Sequence, residues 1–295
     1  MVPAARHPET DHMGRAMAWM VLSGLSFALM GAAVKYAADI GLPVKVFFRN
    51  LVTLAITTAV AVRTRDNPFV PTPHWGLLIA RSLSGLGGVF LYFLALGHLN
   101  LADASLLNKT SPFFVMLFAV WLLNEPFDRR LIPVLLAAFA GAALVIKPSY
   151  DVVNLPALGG FASGAFAGLA YVLVRSMKVR VSPNRIIFTF SLVSCLATAP
   201  FLVAAPPAPT PAQWAALLGT GIFAAGGQYG LTFAYHHARA SRISVFTYLH
   251  VLFAVLVGFV IFDERPDLLT VIGGLLIVGA AWRTHRLGRE TRGVR

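Results

Sequence analysis

The sequence predicts an all-α integral membrane protein in which ten transmembrane helices form two inverted five-helix repeats. Three observations lead there. Apolar blocks long enough to span a bilayer recur along the whole chain, lysines and arginines fall on alternate loops, and the fourth block of the first half is echoed by the fourth block of the second.

The first observation is compositional. Of 295 residues, 57% are hydrophobic and only 12% charged, against roughly 25% charged in a soluble domain. Such a chain cannot cover an ordinary water-facing surface. Its apolar blocks run to about 20 residues, the length that crosses a hydrocarbon core of ~30 Å. A formal charge of +12 raises nucleic acid as a partner. The basic residues are scattered over short loops instead of gathered on one soluble face, and nucleic acid is rejected. The single cysteine, Cys195, lies in an apolar block, which excludes an internal disulfide and argues against redox chemistry.

The predicted spans are 16–39, 43–62, 76–98, 102–123, 131–147, 157–177, 186–205, 214–235, 242–262 and 268–284. Turn residues separate them at Gly41–Pro43, Asn67–Pro73 and Pro206–Pro211. The first span follows a short polar leader, residues 1–15, and is longer than a signal-peptide core, so it reads as a retained helix. A basic tail, 285–295, follows the last.

Orientation comes from the enrichment of lysine and arginine in cytoplasmic loops. With the N-terminus inside, the cytoplasmic side collects Arg6, Arg15, Arg63, Arg65, Arg129, Arg130, Arg175, Lys178, Arg180, Arg185, Arg239, Arg242 and the arginines from Arg283 to Arg295. Only Lys147 and Arg265 fall outside. The predicted location is therefore the inner (plasma) membrane, multi-pass, with both termini cytoplasmic.

The block Leu94–Glu125 aligns without gaps on Phe233–Glu264. Ala95 meets Ala234, His98 meets His237, Ser105 meets Ser244, Phe114 meets Phe253, Leu117 meets Leu256 and Glu125 meets Glu264. Both blocks cover the fourth span of a five-span half, end in an acidic turn and lead into a helix of small residues. An odd number of spans per half requires the second half, 157–284, to insert upside down relative to the first, 16–147. Inverted repeats of this kind mark secondary transporters, with the substrate site near the midplane between halves.

This arrangement, with "ADASLLNKTSPFFVMLFAVWLLNEP" and the following "AAFAGAALVI", resembles the EamA-type members of the drug/metabolite transporter superfamily. Pro112 and Glu125 match the proline and the terminal acidic residue of that family's fourth span, and Arg49 in "FFRNLVTLA" matches its second. Within the family the chain is most similar to the YddG-type exporters of aromatic and other amino acids. The second-half counterpart of Pro112 is Val251, preceded by His250, so the halves differ chemically.

Five basic residues remain outside the loops: Lys35, Lys45, Arg49, Arg81 and Lys109. A charge at the bilayer centre costs at least ~2.5–3.5 kcal/mol and usually faces a cavity or partner. Lys45 lies near an outer end, and Arg81 near the cytoplasmic end of its span, where snorkelling is the preferred reading. Lys35, Arg49 and Lys109 lie in the outer halves of their spans, and Lys109 is roughly 10 Å deep. Arg49 and Lys109 are read as cavity-lining, beside the alternative that the lysine stem climbs to the surface.

Pro112 removes the partner of the Asn108 carbonyl, so the helix kinks there. A freed carbonyl is tolerated only beside protein or water, and Asn108, Thr110 and Ser111 add polar atoms at the same turn. The bland alternative is a kink whose hydroxyls merely rescue the backbone. In the second half, Tyr248 and His250 sit mid-span, and Gln228, Tyr229 and Tyr235 sit on the eighth span. Tyr171, Phe113 and Phe114 are either packing or an aromatic pocket, and Tyr92 and Trp121 read as interfacial anchors. The predicted substrate-binding set is Lys109, Asn108, Arg49, Tyr248, His250, Gln228, Tyr229 and Tyr171.

All twelve carboxylates fall in tails, loops or span ends. A cation/proton antiporter needs one at depth, so the cavity is neutral to positive and favours carboxylated, zwitterionic or neutral solutes. His250 is the one group at depth placed to titrate. With the resemblance, this implies a secondary transporter that exports aromatic and other neutral amino acids and related metabolites by alternating access. It would work in membrane lipid as a single copy, without metal, cofactor or enzymatic chemistry. A proton-coupled multidrug exporter of the same fold, a lipid flippase and a channel stand as alternatives.

Overall fold

The computed structural model describes residues 12–37, 40–96, 107–146, 155–204, 209–263 and 265–293. All regular secondary structure among them is helical: α1 (Met13–Tyr36), α2 (Leu42–Thr64), α3 (Trp75–Leu96), α4 (Ser111–Leu123), α5 (Leu131–Ile146), α6 (Leu155–Ser176), α7 (Pro183–Thr198), α8 (Pro211–His237), α9 (Ala240–Ile243), α10 (Leu249–Phe262) and α11 (Leu268–Gly293). 3-10 turns follow α7 at Ala199–Ala204 and join α9 to α10 at Ser244–Tyr248.

Local chemistry sets the helix ends. Proline occupies the first turn of α2, α4, α7 and α8, where no N–H partner is lost. Ser182 caps α7, and Thr210 and Gln213 form a reciprocal capping box on α8. Asn124 and Asp263, which the internal alignment places opposite one another, end α4 and α10 in the same left-handed conformation, at φ 51° and 54°. Asn and Asp tolerate that region better than other residues with a side chain.

Every predicted span overlaps a described helix. Seven segments are long and apolar enough to cross a bilayer: α1, α2, α3, α6, α7 with its 3-10 extension, α9 through α10, and α11. The helices α4 and α5 are apolar but shorter, at 13 and 16 residues. The 27-residue α8 is diluted by glycines, Gln213, Gln228 and the His236–His237 pair. α11 runs on through the first part of the basic tail, 285–295, as helix to Gly293, with Leu287 buried and the Arg286 guanidinium 4.3 Å from the Trp282 ring centroid. The leader 1–11, the start of the fourth span, and Lys147, Asp151 and Glu264 lie outside the described residues.

The packing partners exchange between the two halves. α1 packs on α8 as α6 packs on α3, α4 packs on α6 as α10 packs on α1, and α2 meets α8 as α7 meets α3. α2 meets α7, and α5 meets α11. In that last pair Gly141 and Gly273 face each other: a Cβ on Gly141 would stand 2.6 Å from the Gly273 carbonyl oxygen, and a Cβ on Gly273 would strike the Gly141 carbonyl. Small residues let membrane helices approach to backbone contact.

Candidate functional site

Regular helix is interrupted at Lys109–Thr110 and resumes at Ser111, with Pro112 in the first turn of α4. The Leu107 carbonyl accepts from both the Thr110 hydroxyl, at 2.6 Å, and the Thr110 backbone N–H, at 3.1 Å. The Tyr248 hydroxyl, reaching from the 3-10 turn of the second half, donates to the Lys109 carbonyl at 2.8 Å. Asn108 Nδ2 donates to Ser163 Oγ at 3.0 Å, and Ser163 donates in turn to the Gly160 carbonyl. The break seats against α6 because Gly164 and Gly168 lack side chains there. A Cβ on Gly164 would fall on the Thr110 hydroxyl, and one on Gly168 would come 2.8 Å from Phe114 Cβ.

Beside the break lies a cavity of about 370 Å³, walled by α1, α2, α3, α6, α7, α8 and the segments around Lys109 and His250. It brings together six of the eight predicted site residues: Arg49, Asn108, Lys109, Tyr171, Gln228 and His250. Tyr229 and Tyr248 do not line it. Tyr229 turns toward α7 and hydrogen-bonds Asn184, and Tyr248 is fully buried behind the break it holds. Both were expected in the wall because depth along a helix does not say which way a side chain faces. The Lys35 side chain lies outside the described residues.

Two wall residues were read otherwise from the sequence. Arg81 does not snorkel: it is 3% exposed, donates Nη2 to Gln228 Oε1 at 3.0 Å, and lies 4.1 Å from the Phe190 ring centroid. Its Nε and Nη1 have no acceptor among the described residues. Tyr92, expected as an interfacial anchor, also lines the cavity. A charged residue below the head-group level was the available signal for Arg81, set aside because of its position near a span end.

The electrostatics are one-sided. Among the described residues Arg49 reaches neutral acceptors, the Met30 sulfur at 3.5 Å and Asn50 Oδ1 at 3.4 Å. Arg49, Arg81 and Lys109 line the same cavity as Tyr171 and His250, and His250 Nδ1 has no partner among the described residues. No aspartate or glutamate is among the described wall residues.

On one side of the cavity the halves are clasped. The left-handed turn at Asn124 delivers Glu125, which is buried, to the start of α9. Glu125 accepts from the Ala240 and Ser241 backbone N–H groups at 2.9 and 3.3 Å and from the Ser241 hydroxyl at 2.8 Å. Arg175 Nε stands 3.8 Å away and its guanidinium also donates to the Tyr235 and His236 carbonyls. Beyond α4, on the loop, Arg130 forks onto Asp128 at 3.0 and 3.1 Å and holds that carboxyl below its ordinary range.

The sequence profile of the EamA-like transporter family matches residues 14–147 and again 154–284. The chain belongs to the EamA-like transporter family. The pseudopaline exporter CntI of Pseudomonas aeruginosa is 35% identical over 268 residues, covering 88% of this chain and 92% of that protein. The riboflavin transporter of Brucella anthropi is 28% identical over 271 residues, covering 89% and 95%. A solved crystal structure superposes with a TM-score of 0.80 over 94% of this chain and 99% of that one, at 18% identity, a likeness of fold alone. This EamA-family chain is thus a multi-pass membrane transporter of small molecules, as its composition and its helices imply.

Proposed function

We propose that the protein is a ten-span secondary transporter, built as inverted repeats over 16–147 and 157–284. Both termini are cytoplasmic, and it exports amino acids and related carboxylated metabolites across the inner membrane by alternating access. One observation carries the reading: a cavity between the halves whose charged wall residues, among those described, are all cations. Its volume falls in the range of small-ligand pockets, roughly 300–1,000 Å³. A carboxylate is received by Arg49, Lys109 and the Asn108 amide, while Tyr171 and Phe27 give an apolar wall against which a ring or aliphatic chain lies. Tyr248 and Tyr229 position the site from behind. A hydrophobic cation, the cargo of a multidrug exporter, finds no carboxylate among the described wall residues.

The repeat is supported by the profile matching twice and by the exchanged helix pairings. The outward direction is supported by the relative that bears the name of exporter. The test is uptake of labelled phenylalanine, threonine, alanine and glutamate into liposomes holding the purified protein, with and without a pH gradient. Saturable uptake that ignores the gradient and is lost in Lys109→Ala is expected. Flux of cationic dyes in place of all four would overturn the reading.

A further inference from the structure

Resting on that reading, the arrangement of charge narrows the cargo. Three cations, Arg49, Arg81 and Lys109, line one cavity, and none meets a carboxylate among the described residues. Arg49 comes from α2, Arg81 from α3 and Lys109 from the helix break beside Asn108. A buried cation without a counter-ion is held in place at continuous cost, and the Arg81 nitrogens Nε and Nη1 lack even a neutral acceptor.

A neutral amino acid answers this poorly. Its single carboxylate compensates one cation, and its ammonium enters as a further positive charge with only amide and hydroxyl oxygens to receive it. A solute with several acidic groups compensates more than one of the three at once, and guanidinium and carboxylate pair most strongly as charge-assisted forks.

We propose that the transported solute carries two or more carboxylates, received by Arg49, Arg81 and Lys109 together. Arg81 is then a specificity-determining residue, held at its angle by Gln228 and Phe190.

The experiment is a charge series on one scaffold: glutamine, glutamate and γ-carboxyglutamate, each tested for binding to the protein in nanodiscs and for flux in proteoliposomes. Affinity is expected to rise about tenfold or more with each added carboxylate, the effect of one charge-assisted hydrogen bond. Arg81→Gln should erase the gain from glutamate to γ-carboxyglutamate, and Arg81→Lys should restore part of it. Equal affinity across the wild-type series overturns the proposal and leaves the amino acid reading intact. So does an Arg81→Gln variant that weakens all three alike. Absence of saturable flux for every member overturns the amino acid reading itself. The wild-type series decides without any variant, so a variant that misfolds does not spoil the test.

Discussion

At the scale of the residue, the site is built from groups that are unfavourable where they stand. Lys109 lies at the depth of the helix break and ends in a cavity without a counter-charge among the described residues. A charge so placed costs at least ~2.5–3.5 kcal/mol when nothing compensates it. Lys109→Met is therefore expected to raise the thermal midpoint of the ligand-free protein while removing saturable transport, and a fall in both would make the lysine a structural residue. Tyr248 gives the opposite sign. Its hydroxyl bonds the Lys109 carbonyl from the other half, and Tyr248→Phe should lower stability by about 0.5–1.5 kcal/mol with a smaller effect on transport than Lys109→Met. A thermal melt of the pair decides both points. Asn108 gives one of its two amide N–H groups to Ser163 on α6 and lines the cavity as well.

At the scale of the element, the break in the fourth span and the glycines of α6 form one device. Pro112 denies the preceding turn its hydrogen bond, so the chain there must find other partners, and it finds them by lying almost on the α6 backbone. Gly164→Ala would drive a methyl into the Thr110 hydroxyl and the carbonyls of Leu107 and Asn108. Overpacking of this kind costs typically ~1–3 kcal/mol, and it should disturb transport because it shifts Lys109. Gly279→Ala, in α11, meets nothing within 4 Å and should be neutral or stabilising by about 0.5–1 kcal/mol through helix propensity. Equal melting shifts in the two variants would sink the account of the seat.

At the scale of the molecule, the two halves are joined by reciprocal contacts: Tyr248 on the first-half break, Glu125 on the second-half α9, and Gly141 against Gly273. The Glu125 clasp is the charged member. Glu125→Gln leaves Arg175 without its carboxylate and exchanges charge-assisted bonds for weaker ones, worth about 1–3 kcal/mol, so the melting temperature should fall. An unchanged melt would show that the clasp contributes nothing. The internal alignment makes Glu264 its counterpart, a residue outside the described set. Topology has its own check. A reporter active only in the cytoplasm should work when fused after Arg295 and fail when inserted at Ser149, and the reverse result would invert the orientation.

By itself the sequence determined that this is an all-helical membrane protein of the EamA type, roughly where its helices lie, and at which position along them each charge falls. Those properties are one-dimensional. A bilayer demands about 20 apolar residues per crossing, and polar residues are counted directly against that ruler. Which way a side chain points is a different quantity. A helix apolar all round, such as α4 or α10, carries no amphipathic stripe from which to read its inner face. Only the tertiary structure could therefore turn Arg81 and Tyr92 into the cavity, turn Tyr229 and Tyr248 out of it, and carry Glu125 from the end of one half to the start of a helix in the other.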